Sequence, residues 1–431
     1  MQRYESYKPV DDQWLGEIPA RWNVAFLSAL FDEHKEKNVG MKCTNLLSLS
    51  YGRVKKKDIN TTSGLLPASF ETYNIIGAGD IVLRLTDLQN DQRSLRTGLC
   101  KQSGIITSAY VTLRKRNDDI NSDYYHYFLH SFDTHKCFYG MGEGVRQNLS
   151  YEGISKLTLL VPPTEEQEQI VKYLDWKTSQ INELIAANKR QIDLLVEYMN
   201  AAFARARSKA KKFVKLKNLV RLEQDYISPE PDEYYQKAGM YNRGRGIFTR
   251  EAVKGRDLGD SKFQKVLSDH VMISGQFAWE DATYVTTKED EVAIASHRYY
   301  LLKVMSAELR PEYIWAYFMS DEGFMQLNIC SHGSAGRNRP LNINELLNSV
   351  EIPMPDSEDD LRSVVDVARL VMAFRTVDKQ KTALWDEYKT VLISDVVTGK
   401  LDVRNIEVPS YDFVSESDNN KEENENEEVD E

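Results

Sequence analysis

Cysteine is scarce in this chain: Cys43, Cys100, Cys137 and Cys330 are the only four in 431 residues, and no two form a CxxC pair. That spacing speaks against a disulfide framework or a cysteine zinc site and fits a reducing, cytoplasmic setting. Long apolar runs are missing too. None approaches the roughly 20 residues of a membrane span, and the opening MQRYESYKPVDD does not read as a secretory signal. The seven histidines make no HExxH; His126 and His130, four apart, sit in an aromatic helical stretch where packing is favoured over metal. There is no GxxxxGK[ST] phosphate loop, since VTGK at 397–400 lacks the upstream glycine. No glycine-rich dinucleotide fingerprint follows a strand, and no Asn/Asp-Pro-Pro-aromatic tetrapeptide of the amino-methyltransferase type occurs. The chain reads as non-catalytic, binding no metal or cofactor itself.

What is there is first of all length: 431 residues, 41% hydrophobic and 10% aromatic, predict two or three domains. A net charge of −11 argues superficially against nucleic acid, but from Asn405 onward there are 11 acids and one lysine. The first 404 residues therefore carry a net charge of only −1. The acidic, low-complexity segment 404–431 is expected to be a disordered tail. In the body, what matters is where the cations gather.

The chain also repeats itself at an offset of about 190 residues. GIITSAYVTLRK (104–115) matches EVAIASHRYYLLK (291–303), DYYHYFLHS (123–131) matches EYIWAYFMS (312–320), and GVRQNLSYEGISKLTLLVPP (144–163) matches GRNRPLNINELLNSVEIPMP (336–355). Three matches in one order at nearly constant offset make an internal duplication.

Each copy closes in a long helical segment. After Pro163, Thr164 is placed to cap a helix with glutamates in its first turn. Leu174, Ile181, Leu195 and Ala202 fall on a seven-residue period, with Leu184, Ile185, Ile192, Tyr198 and Met199 adjoining, as in a coiled-coil seam. Val364, Val371, Trp385 and Leu392 repeat the spacing in the second segment, flanked by Phe374 and Tyr388, and Gly399 suits its C-cap. Asn188 and Asp378 hold equivalent places on the seam, as solvated positions or as a polar registry device. About 40 residues of helix span roughly 60 Å.

Cations recur with edge-matching polar residues in both halves. After the buried-strand pattern NIIGAGDIVL comes LRLTDLQNDQRSLRTG (83–98), and YGRVKKK (51–57) has a counterpart in YNRGRGIFTREAVKGR (241–256). RARSKAKKFVKLK (205–217) carries seven cations and no acid. Arginine forks to phosphates or guanine edges, and Asn and Gln match adenine. Any one stretch alone is more often a solubilising surface loop; recurrence in both halves moves the balance toward nucleic acid.

These residues resemble the specificity subunits of type I restriction-modification enzymes. WLGEIPARW (14–22), LLSLSYGRVKKKDI, LRLTDLQNDQRSLRTG with GIITSAYVTLR, VPPTEEQEQIVKYLDWKTSQINELI and LISDVVTGKLDVR carry the likeness, over residues 14–404. The resemblance implies an α/β (α+β) chain with two similar target recognition domains separated by two long antiparallel coiled-coil helices, in a pseudo-twofold repeat. The domains would be 1–163 and 210–355, the spacer helices 164–209 and 356–403. Each recognition domain would read one half of a bipartite site in double-stranded DNA, the rod fixing the unread spacer. Two modification subunits would bring S-adenosylmethionine, and two restriction subunits ATP and Mg. The DNA-contact candidates are Tyr51, Arg53, Arg84, Asp87, Gln89, Asn90, Arg93, Ser94, Arg96, Arg146 and Gln147 in the first half. In the second they are Tyr241, Asn242, Arg243, Arg245, Ser296, His297, Arg337 and Arg339. For Arg84 the alternative is an ion pair to Asp80 or Asp87 that staples the loop. The competing function is a non-catalytic, repeat-built adaptor of another defence complex that binds protein or RNA; an unrecognised nuclease or methyltransferase is remote.

Overall fold

Ile81–Leu83 and His270–Ser274 are buried along their whole length, as expected of strands covered on both faces. Each is an inner strand of a four-stranded antiparallel sheet, and the two sheets are copies in topology. The computed structural model describes residues 2–12, 14–60, 69–91, 94–139, 141, 148–333 and 339–415. Within these, one unit comprises Met1–Asn182 with Leu384–Ser415, and a second holds Glu183–Ala383.

In the first unit the sheet runs Phe31–Glu33, Val111–Lys115, Ile81–Leu83, Thr97–Leu99. In the second it runs Val220–Glu223, Tyr299–Val304, His270–Ser274, Thr283–Val285. The strands occur in the same chain order, each shifted by about 190 residues. The accessories repeat as well. Asn23–Phe26 pairs antiparallel with Thr158–Val161, as Phe213–Lys215 does with Glu351–Pro353. A parallel bridge joins Leu46 to Ile105, and a parallel pair joins Gln236 to Ala293. The Leu149 N–H donates to the Leu85 carbonyl at 2.9 Å, and Leu341 repeats the bond to Gly275 at 2.8 Å. The helix Ser122–Thr134, capped by the Asn121 side chain, answers to Pro311–Phe318, which starts on proline. Trp22, Phe31, Tyr124 and Phe128 fill the first core; Trp315, Tyr313, Tyr317 and Phe203 fill the second. The second copy enlarges the peripheral sheet, adding Tyr226–Ile227 and Val253–Lys254 around Tyr234–Met240.

The first long helix is Thr164–Lys209, with Glu165 and Glu166 in its first turn and Arg207 and Lys209 in its last, both favourable to the helix dipole. The second is Glu358–Val397, with Glu358, Asp359 and Asp360 in the first turn and Gly399 beyond its end at φ 75°. In the second unit Lys209 Nζ meets Asp360 Oδ1 at 2.6 Å, so the last turn of one helix lies on the first turn of the other. Leu174, Ile181, Ile185, Met199 and Ala202 are buried, whereas Leu184 and Tyr198 are exposed, as is Tyr388 on the second helix. The seam is thus narrower than expected. The alternating three-and-four spacing 181, 185, 188, 192, 195, 199, 202 defines it, and positions 184 and 198 lie outside that spacing.

The stretch expected to begin a disordered tail is folded as far as Ser415. Gln169 Nε2 donates to the carbonyls of Val403 (3.0 Å) and Ile406 (2.7 Å). The Val414 N–H donates to Ser179 Oγ at 2.8 Å, and Asn182 Nδ2 donates to the Val414 carbonyl at 3.0 Å. Val403 and Val408 are buried in the first core. Acidic composition hid these apolar side chains, which lie along the first long helix. No helix among the described residues is long and apolar enough to cross a membrane.

Candidate nucleic-acid interface

In the first unit three segments converge beside the sheet. Leu47–Ser50 and Arg53–Lys56 form a hairpin whose two turn residues, Tyr51 and Gly52, both have positive φ (45° and 75°), the requirement of a two-residue type I′ turn. The hairpin lies on Thr97–Leu99: a Cβ on Gly98 would stand 2.4 Å from Leu49 Cδ1, so only glycine allows the approach. Between Leu83 and Thr97 runs the polar loop. Its third neighbour is the arm at Asn148, whose Oδ1 accepts the Asp87 N–H at 2.7 Å.

Arg96 does not face solvent, contrary to the expectation of a DNA contact. Its side chain is fully buried, and it donates to the Thr86 carbonyl at 2.8 Å, to the Asp91 carbonyl, and to Tyr139 Oη at 3.3 Å. Its own N–H donates to Asp133 Oδ2 at 2.5 Å. Burial pushes the Asp133 carboxyl up to about 6, the Arg96 N–H and the charges of Lys136 and Arg96 only partly opposing it. Arg84 pairs with neither Asp80 nor Asp87; its guanidinium meets Asp91 at 3.2 Å, while Asp80 is taken by Arg114 at 2.6 Å. Partial burial raises the Asp91 carboxyl, but Ser94 and the guanidinia of Arg96 and Arg84 outweigh it and hold it below the usual carboxylate range. The Ser94 N–H caps Asp91 at 3.0 Å, and Asp87, left-handed at φ 57°, accepts from Asn90 Nδ2 at 2.8 Å. Arg84, Asp87, Ser94 and Arg96 therefore build the loop. Gln89 and Asn90 are exposed on it, and on the neighbouring hairpin Tyr51 is exposed and Arg53 partly so. Arg93, Arg146, Gln147 and, in the other copy, Arg337 lie outside the described residues.

The second unit assembles the same three segments. The turn at 241–246 replaces the hairpin turn, the 3-10 turn Ala278–Glu280 replaces the polar loop, and the arm after Ile329 brings Arg339. The Tyr241 N–H donates to the Gly246 carbonyl at 3.0 Å, closing the turn. Asn242 Nδ2 bonds Glu280, and the Arg243 and Gly244 N–H groups donate to the Glu280 and Asp281 carbonyls at 3.0 and 2.8 Å. Arg245 Nε donates to the Asn242 carbonyl at 3.0 Å, and its guanidinium lies 5.5 Å from the Tyr241 ring centre. Arg339 donates to the Asn328 carbonyl at 3.1 Å and stacks 5.3 Å over Trp279. Burial raises the Asp281 carboxyl to about 7, against the Thr283 hydroxyl and the Arg375 charge. Ser296 ends a strand opposite Phe263, and the exposed His297 donates its N–H to the Lys262 carbonyl at 2.9 Å; this is a separate place from the turn.

The run 205–217 is less available than its sequence suggests. Arg207 pairs with Glu322, Lys209 with Asp360 (2.6 Å) and Lys211 with Asp356 (3.0 Å). Two residues that the sequence reading did not single out reach the second turn: Arg375 and Lys379, one helical turn apart on the second long helix. Among the described residues no His, Cys, Asp and Glu cluster is arranged to hold a metal ion.

Residues 102–194 match the family of the type I restriction modification DNA specificity domain. That stretch of the chain is similar to the domain. The match spans Val111–Lys115, the helix Ser122–Thr134, Thr158–Val161 and the start of the first long helix. Among solved structures, a chain from work on complex assembly and conformational transition of the type I R-M system is 14% identical, with a TM-score of 0.53 over 89% of this chain and 99% of that one. The type I restriction-modification S subunit from M. genitalium is 12% identical over 87% and 96%, TM-score 0.44. The HsdS subunit from Thermoanaerobacter tengcongensis is 14% identical over 89% and 98%, TM-score 0.40. The first of these shares the fold of this chain. No curated protein matches.

Proposed function

We propose that this chain is the DNA specificity subunit of a type I restriction-modification complex and that it reads a bipartite site, one half through each unit. The observation that carries the reading is the duplication of one plan, each copy joining a left-handed turn, a polar loop and the arm that follows, in a chain whose residues 102–194 match the specificity domain. Phosphate contacts would supply affinity, and side chains held on internally bonded loops would supply base discrimination. In the first unit Tyr51, Arg53, Gln89 and Asn90 take that role, with Arg84, Asp87, Ser94 and Arg96 holding them in place. In the second, Tyr241, Arg243 and Arg245 form the reading turn, Arg339 the arm, and Ser296 and His297 a flanking contact.

The long helices set the unread spacer between the half-sites. The chemistry belongs to partners: two modification subunits using S-adenosylmethionine to methylate adenine, and two restriction subunits using ATP and Mg. Such a complex works in the cytoplasm, where its DNA is.

Co-purification of the tagged chain from its host should bring down a methyltransferase, and single-molecule methylation mapping should show methylated adenines at one bipartite motif that vanish when the gene is deleted. A host without such a motif would refute the reading.

A further inference from the structure

We propose that Arg375, on the second long helix, is a positioning residue for the reading turn at 241–246, and that it thereby tunes which half-site the second unit accepts. This rests on the DNA reading above and adds a specificity determinant lying outside the recognition loops.

The turn cannot hold its shape unaided. Arg243 and Gly244 are left-handed at φ 57° and 59°, and Gly246 lies at φ 113°. A non-glycine residue in that region costs on the order of 1 kcal/mol. The turn's own N–H groups serve the Gly246 and Asn242 carbonyls at 3.0 and 3.3 Å, and the carbonyls of Arg243 and Gly244 take donors from elsewhere. Arg375 supplies them: Nη1 donates to the Gly244 carbonyl and Nη2 to the Arg243 carbonyl at 3.3 Å. The same guanidinium sits 5.8 Å from the Trp315 ring centre, and Trp315 is fully buried, so the fork is backed by the core. One turn along the helix, Lys379 lies 5.4 Å over the Tyr241 ring. The helix thus holds the turn at its start and at its middle. The seat is tight: a Cβ on Gly244 would fall 2.3 Å from Met319 Sδ and 3.3 Å from Arg375 Nη1. Arginine's planar fork serves two carbonyls at once, which a lysine ammonium at that distance does not reproduce. The repeat offset of 190 places Ile185 opposite Arg375, so the first copy lacks the device. Its effect belongs to one half-site only.

The test uses the full chain expressed with its partner subunits from their own locus, in a host without other adenine methylation. Mapping the wild type defines the motif, and exchanging residues 1–163 for a relative's identifies the half-site that stays with the second unit. Arg375→Lys and Arg375→Gln are then mapped and their melting temperatures measured; the lysine variant keeps charge and bulk if the glutamine variant fails to accumulate. The expected result is a rise of about tenfold in methylation at single-base mismatches of the second half-site, with the first half-site unchanged even where the melting temperature falls. Unaltered discrimination in both variants, or an equal change at both half-sites, would overturn the proposal. A wild type with no bipartite motif would instead refute the DNA reading, and this inference with it.

Discussion

Arg96 carries a charge to a place that water does not reach, and its hydrogen bonds determine what it is for. It ties together the Thr86 and Asp91 carbonyls and Tyr139 across the loop. Arg96→Ala should therefore destabilise the first unit by about 3–5 kcal/mol, read as a lower melting temperature. Gln89→Ala, at an exposed position of the same loop, should leave stability within about 0.5 kcal/mol and alter only discrimination at the first half-site. Asp133, behind Arg96, gives a pH signature. Its folded-state value is raised to about 6 from an ordinary 3.8, so the folded chain binds this proton more tightly than the unfolded one. The stability this brings is present below pH 4 and is lost as pH rises through 6. Asp133→Asn, which keeps a carbonyl oxygen for the Arg96 N–H, should gain about 2–3 kcal/mol over the wild type at pH 8 and nothing near pH 4, as followed by denaturant titration. Sequence marked this loop correctly as polar and cationic but could not sort its arginines. Arg84 and Arg96 differ from an exposed arginine only through Asp91, Asp133 and Tyr139, and two of these lie about 40 residues further along the chain.

At the level of elements, periodicity went furthest. The first long helix follows its heptad and its capping signals, because an apolar seam every three or four residues fixes a helix whatever surrounds it. The seam's width was misjudged at Leu184 and Tyr198, since spacing alone does not say how closely a partner helix approaches. If the two helices set the spacer, four residues inserted in each, after 187 and after 381, lengthen them by about 6 Å. The methylated motif should then gain about two base pairs of spacer at 3.4 Å each. An unchanged spacer would show that something else sets it. The strap at 404–415 was illegible for the opposite reason: alternating acids masked Val403, Val408 and Phe413, and Lys101 stacks 5.5 Å over the last of these.

The whole molecule is two renderings of one plan, and modularity is its testable property. Replacing residues 1–163 with the equivalent part of a relative should change one half of the methylated motif and preserve the other; a change in both would defeat the modular reading. DNA affinity of the assembled complex should fall steeply with salt, by roughly a thousandfold between 50 and 200 mM if six or more phosphates are neutralised. The duplication was legible because strand order and offset survive divergence, whereas the enlarged sheet around Tyr234–Met240 has no counterpart to announce it.

The first unit is sewn from segments about 400 residues apart: the Asp402 N–H bonds the Gln2 carbonyl at 3.0 Å, and Arg404 reaches Glu5 at 3.0 Å. Among the described residues the second unit is one uninterrupted stretch. On the ribosome, where domains ordinarily finish in the order they emerge, this chain must reverse that order. The half synthesised later can close first, and the half that emerged earliest must wait, chaperoned or exposed, until the segment around Asp402 and Arg404 has been made.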